Sequence, residues 1–398
     1  YDGSGAGYVA IKQSCSKYRS SEFRGAGSVF VKVVMLLRLL GYATLGILVA
    51  IAVKIAIVLD LNKRVYNHRP GPCRTVEGIQ YGAEDVELVE RLNSAFITSG
   101  LFYMTKRSPD SKGQIFLYNF AQPQGQHKAI PLKIEGDFDE GNFHPHGLSS
   151  VIVDGQIHLY VINHDRAFKH SVEVFSYDER ETTLKHVKSI KDNKFIRPND
   201  LVALGKDQFV LTNDGSGQSA FLNMLEAISG VKAGSVIFYD SERSHTLIRS
   251  DVSPNGIAID ASRKHLFIAS PVARKLTVYK LAENYKSVEP ISTVDLYTSP
   301  DNLHIDETDA LWIGAHPIVR ELIAHSKSPD DLQISAPSQV LRVVFEPDFK
   351  RWTITEPYMN DGSELVASTV AVPYYGQLLI GSIYRTLLHC DIAHSSVL

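Results

Sequence analysis

The chain has 398 residues, a formal net charge of −3 and three cysteines. That length holds one large or two ordinary domains, and a near-neutral balance without a basic stripe excludes a nucleic-acid partner. Cys15, Cys73 and Cys390 lack metal-ligand spacing, which argues against a zinc cluster.

Taken in order, residues 1–38 begin Gly- and Ser-rich with scattered positive charge, and the expectation is a disordered tail. Leu39 to Leu59 follows, 21 residues whose only charge is Lys54. Crossing a bilayer takes about 20 apolar residues, and a lysine near one end can reach the interface with its ammonium. A cleaved signal peptide would show a small-residue cleavage site after a short leader, and neither is evident. A core helix of a soluble protein is seldom apolar on every side. The segment therefore reads as a transmembrane signal-anchor. Lys12, Lys17, Arg19, Arg24, Lys32 and Arg38 precede it, against Lys63, Arg64 and Arg69 after it. That excess predicts a cytosolic N-terminus, with the remainder in the lumen of the endoplasmic reticulum or outside the cell. Residues 60–72 form a polar, Pro-containing linker.

From Cys73 onward the pattern changes to short β-branched and aromatic runs separated by Gly, Pro, Asn and Asp. Strands are predicted at 114–118, 156–161, 171–175, 235–239, 265–269, 275–279, 311–314, 339–343 and 377–381. Strand, polar turn and strand recur as a loose unit. About 320 residues divided into propeller blades of about 40 to 50 gives six or seven blades. Cys73 and Cys390 bracket this region; paired in an oxidising compartment, they would fasten its first strand to its last, and two buried free thiols is the other reading. Ser219 to Ser229 is the only helical candidate inside, read as a lid or insertion.

The stretch Gly141 to Ser150 reads Gly-Asn-Phe-His-Pro-His-Gly-Leu-Ser-Ser. Pro145 and Gly147 predict a sharp turn presenting His146. Asn or Asp also recurs beside strand-like sequence at Asn199-Asp200, Asn213-Asp214, Asn255 and Asp301-Asn302, and Glu84-Asp85 lies upstream. One such residue is ordinarily a turn former. Together, carboxylates and amides are the ligand set of a hard cation, calcium above all. The Glu84, His146, Asn199, Asn255 and Asp301 sites follow one another at steps of about 45 to 60 residues, one blade or slightly more, as ligands of a central channel require.

Several ordered motifs resemble the serum paraoxonase/arylesterase family over nearly all of Val76 to Ile392. They are Gly82-Ala-Glu-Asp85, Ser99-Gly-Leu-Phe-Tyr103, Phe143-His-Pro-His-Gly-Leu148, Val161-Ile-Asn-His164, Asn199-Asp-Leu-Val-Ala203, Asn255-Gly-Ile257, Asp301-Asn302 and Leu311-Trp-Ile-Gly-Ala-His-Pro317. The resemblance implies an all-β, six-bladed propeller over residues 73–398 with two calcium ions in its tunnel. A catalytic ion would be held by Glu84, Asn199, Asn255, Asp301 and Asn302. A structural ion would be held by Asp85, Asp200 and the backbone carbonyl of Leu148. The family's histidine dyad falls on His146 and His164, and its substrate pocket on Leu101, Tyr103 and His316. Its disulfide falls on Cys73 and Cys390.

The implied activity is calcium-dependent hydrolysis of aryl esters or lactones, with water activated by the dyad. The alternative is a membrane-anchored chaperone for membrane proteins such as ion channels, since nematode members that keep an anchor share this layout. The chain departs from the common family pattern at His144 (usually Asn), Ala315 (usually Cys), Gly215 (usually His) and the loop Ser270 to Arg274, which bears on substrate range.

Overall fold

The computed structural model describes residues 7–101, 112–123 and 125–393, with side chains from residue 29 onward apart from Ala220. It divides into two compact units, residues 1–58 and 59–398.

The first unit is a helix, α1 (Gly7–Val58). It begins well before Leu39, so the backbone is helical where the sequence suggested an irregular tail. No Pro interrupts this stretch, so no residue removes a helix hydrogen bond within it. Within it, Val29–Val58 is long and apolar enough to cross a membrane. Apolar side chains such as Leu39, Ile47 and Leu48 are exposed, a pattern that a membrane span and a signal sequence share.

The second unit is a six-bladed β-propeller. Its innermost strands are Val86–Val89, Pro145–Val153, Pro198–Gly205, Ile257–Ile259, Ser299–Ile305 and Ser368–Tyr374. Each touches the next, and the last touches the first, closing a ring. All nine predicted strand runs lie within strands. Second strands such as Phe209-Val-Leu-Thr212 and Leu311–His316 are buried on both faces between neighbouring blades, which explains their unbroken apolar character. Each of the six seams between blades is filled by its own apolar cluster. Phe96, Leu159 and Phe175 fill the first to second seam, and Trp312, Tyr358 and Leu378 the fifth to sixth.

The sixth blade takes three strands from the end of the chain and one, Cys73–Thr75, from its beginning. Cys73 lies opposite Cys390 in the ladder, and the two form a disulfide. Closing so long a loop contributes on the order of 5 kcal/mol by restricting the unfolded chain.

Two expectations are corrected. The region 143–148 is not a turn: His146 lies inside the strand Pro145–Val153. Gly147 is there for space, because a Cβ would stand 2.7 Å from the Asn199 carbonyl oxygen and the Asp200 carboxylate. The helix at Ser219 is present as α2 (Ala220–Ser229), with the Ser219 hydroxyl accepting from the Leu222 N–H. It is not the only one: α3 (Val319–Lys327) fills the insertion between Leu311–His316 and Ser338–Phe345.

Candidate active site in the central channel

The inner strands deliver their polar residues by a shared irregularity. Ladder register slips between Pro145 and Leu148, Pro198 and Leu201, and Pro300 and Leu303. A bulge of this kind removes two consecutive residues from pairing and redirects their side chains. The residues released are His146-Gly147, Asn199-Asp200 and Asp301-Asn302. Glu84-Asp85 and Asn255 arrive just ahead of their own inner strands. All of these polar side chains are buried.

They fall into two groups. Asp85 and Asp200 are fully engaged with backbone. Asp85 accepts from the N–H of Val86 at 2.8 Å and of Leu148 at 2.8 Å, joining the first blade to the second. Asp200 accepts from Leu201 at 2.6 Å and Ile257 at 2.9 Å, joining the third to the fourth. Burial raises both carboxyl pKa values well above the ordinary range, reinforced by the Glu84 charge at Asp85 and by the Asp85 charge at Asp200.

The other group is under-satisfied. Glu84 Oε2, Asn199 Oδ1, Asn255 Oδ1 and Asn302 Oδ1 are buried, and no described residue donates to them. Some of their other atoms are held. Asn302 Nδ2 donates to Glu84 Oε1 at 3.1 Å and to the Glu84 carbonyl at 3.1 Å. The Asn255 carbonyl accepts from the Thr212 hydroxyl at 2.6 Å. Four unpartnered buried oxygens in one native site call for an explanation, and a hard cation is the species that several neutral and anionic oxygens serve at once. Among the described residues no group of three or more His, Cys, Asp or Glu forms a metal cluster; amides make up much of this set.

Beside Glu84 stands the histidine pair. His146 Nδ1 is 2.9 Å from His164 Nε2, and His146 Nε2 is 3.4 Å from Glu84 Oε1. Burial depresses the His146 pKa, but Glu84, Asp214 and Asp301 together outweigh it and the net shift is upward. His164 is driven well below its ordinary range by burial, then by the charges of His146 and His170. His146 is therefore the more basic of the two. His316 meets Asp301, its Nε2 2.8 Å from Asp301 Oδ2.

Leu101 is buried, and Tyr103 lies outside the described residues. Asn213 and Asp214 stay out of the channel set. The Asn213 amide oxygen accepts from the N–H of Ile196 and Arg197, and Asp214 pairs with the buried Arg197. That guanidinium also reaches Glu226 of α2, and a Cβ on Gly215 would collide with it. A side chain at 215 would require the Arg197 guanidinium to move from this position. His144 is a packing residue, its ring nitrogen 3.0 Å from the His164 carbonyl and its N–H on the Asn163 amide oxygen. Sequence reasoning missed His170, whose Nδ1 lies 2.7 Å from His164 Nδ1. A signal was available, since two histidines with five residues between them, at the ends of two apolar runs, face each other when those runs form a hairpin.

A family model described as Arylesterase matches residues 65–392. The Caenorhabditis elegans protein named mechanosensory abnormality protein 6 is 32% identical over 375 residues, 90% of this chain and 97% of its own length. The Rattus norvegicus protein named serum paraoxonase/lactonase 3 is 33% identical over 365 residues, 87% of this chain and 100% of its own. Among solved structures, regucalcin from Agrobacterium tumefaciens superimposes with a TM-score of 0.50 at 12% identity, covering 82% of this chain and 95% of that one, a likeness of fold.

Proposed function

The chain belongs to the arylesterase family, and we propose that it hydrolyses aryl esters or lactones in a calcium-dependent way. The observation that carries this reading is the meeting of four unpartnered buried oxygens with a hydrogen-bonded histidine pair. Glu84, Asn199, Asn255, Asp301 and Asn302 would hold the ion at the reacting centre. Asp85, Asp200 and the Leu148 carbonyl would hold a second, structural ion. Bound there, calcium supplies a Lewis-acid contact for the substrate carbonyl and a positive charge for the oxyanion that develops.

The chain's own residues do the rest. His146, the more basic imidazole, takes a proton from water at Nε2 while His164 holds its ring in place through Nδ1. Asn302 turns its amide nitrogen to Glu84, so its oxygen faces the site. Asp85 and Asp200 tie blades together around the channel and keep the oxygens in register. Val29–Val58 of α1 is a membrane anchor in this reading, and the Cys73–Cys390 disulfide suits a propeller in an oxidising lumen or outside the cell.

The second reading is a membrane-anchored chaperone for membrane proteins. One observation favours it. A match over 90% of this chain to mechanosensory abnormality protein 6 must run into the apolar helix, so the likeness is not confined to the propeller. The two readings part at His146. In His146→Gln the full-length chain keeps hydrogen-bonding capacity and loses its base, so turnover of lactone or aryl ester should fall about 100-fold or more. Wild-type turnover in this variant would exclude His146 as the base. Under the chaperone reading the same variant leaves surface abundance of a co-expressed client unchanged.

A further inference from the structure

We propose that His170 is the positioning residue of the histidine pair: it accepts the Nδ1–H of His164 and so sets the direction of every hydrogen bond from His170 to His146. The inference rests on the hydrolase reading for its consequence and on geometry for its content. Three rings stand in line. His146 Nδ1 is 2.9 Å from His164 Nε2, and His164 Nδ1 is 2.7 Å from His170 Nδ1. The last contact is built into the fold, since His164 and His170 are directly opposed across a hairpin of the second blade.

A neutral imidazole carries one N–H and one bare nitrogen, so each short nitrogen–nitrogen contact holds a single proton. Two arrangements satisfy both contacts. In one, protons point from His146 toward His170, and His146 Nε2 is left bare and able to accept a proton from water. In the other, every proton is reversed, and His146 presents an N–H at Nε2, useless as a base. The ends of the line decide between them. At the far end, the backbone carbonyl of Ile196 is a hydrogen-bond partner of the His170 ring. A carbonyl can only accept, so His170 donates there, and with Nε2–H turned to Ile196 its Nδ1 is bare toward His164. At the near end, Glu84 Oε1 is a partner of His146 Nε2 and favours the reversed pattern, but at 3.4 Å, and already accepting from Asn302 Nδ2 at 3.1 Å, it is a weak acceptor for that proton. Burial also pushes the His170 pKa down to about 4, so the ring stays neutral and able to accept. The dependence resembles that of other catalytic imidazoles, whose wrong tautomer abolishes base catalysis without moving the ring.

The full-length chain labelled with ¹⁵N-histidine and held in detergent gives the first test. Long-range proton–nitrogen spectra, assigned with single His→Gln variants, should show His146 and His164 protonated at Nδ1 and His170 at Nε2. A His146 protonated at Nε2 overturns the proposal whether or not the chain hydrolyses anything. Kinetics supply the second test. His170→Leu, which removes the acceptor, should lower kcat about 10- to 100-fold with KM changed less than about twofold. His170→Asn, whose amide oxygen can take the same N–H, should return to within about fivefold of wild type. Equal and undiminished turnover in both variants refutes the positioning role, while a dead His146→Gln in the same assay keeps the hydrolase reading intact. If His170→Leu does not fold, the asparagine variant and the spectra still decide. Lack of turnover by the wild-type chain on lactones and aryl esters sinks the hydrolase reading alone, and the ring tautomers then judge this one.

Discussion

The channel holds two sets of oxygen donors, adjacent in sequence at Glu84-Asp85 and Asn199-Asp200 and opposite in state. Asp85 and Asp200 give every carboxylate oxygen a backbone N–H and stitch neighbouring blades together. Glu84, Asn199, Asn255 and Asn302 each keep one buried oxygen with no described donor. The first set would remain part of the architecture in the absence of any ion, because removing a carboxylate strands two amides. The second set is costly to bury and gains from a ligand. Adjacent residues on one bulge, Asn199 and Asp200, thus differ in state: one keeps a buried oxygen with no described donor, and the other ties two blades together whether or not an ion is bound.

The comparison is open to attack at several points. Exhaustive chelation should have the largest effect, abolishing hydrolysis and lowering the melting temperature by about 10 °C or more, since an ion bound only by the native state stabilises it. An unchanged melting temperature after chelation would falsify the cation reading of the second set. Next in size is Asp200→Ala. It strands the N–H groups of Leu201 and Ile257 and should cost about 2–4 kcal/mol in the chelated protein, and more with calcium, because Asp200 would also hold the structural ion. Asn255→Ala should be milder. Its calcium midpoint for activity should weaken about tenfold or more, while the chelated protein melts within about 2 °C of chelated wild type. A chelated Asn255→Ala protein that melts far lower would erase the distinction between the sets.

Acid should act both in the channel, through His164 and His170, and outside it. Burial pushes the His304 and His389 pKa values down to about 4. A group whose folded pKa is depressed binds fewer protons in the native state. Its stabilising effect is complete above the unfolded value near 6.5 and fades as pH falls toward 4. Between pH 7 and 5 the melting temperature should drop by about 5 °C, measurable by calorimetry. A drop of similar size should occur in chelated and calcium-loaded samples; one confined to the loaded protein would place the titrating groups among the ion's own ligands.

Much of this was legible in the sequence, for reasons that particular residues make plain. Second strands such as Leu311–His316 announce themselves because burial on both faces demands unbroken apolar character. The channel residues were legible by their spacing, since each blade repeats the same delivery point. Pro145 and Gly147 misled because they are turn formers by habit. Here Pro145 starts a strand, and Gly147 makes room for the neighbouring blade at Asn199 and Asp200. α3 was missed because it is short and polar, and Ile318 at its start offers no side-chain cap. Which oxygens are satisfied, and which ring nitrogens face each other, depends on contacts between residues far apart in the chain. No local pattern encodes those.

The disulfide of the sixth blade also has a mechanical meaning. Cys73 directly follows the linker, and Cys390 directly precedes the last residues of the chain. Tension applied between the two ends of the protein travels from Cys73 to Cys390 through sulfur. Everything between them, all five other blades and the channel, hangs as a closed loop off the line of force. Once the contacts of the preceding segment with the ring have parted, among them Asp60 with Arg274 and His68 with Met359, a pull that would unzip an open-ended propeller strand by strand leaves this ring unloaded. Only a reductant returns the blades to the load path, so oxidation of this one bond fixes how much of the molecule can be stretched.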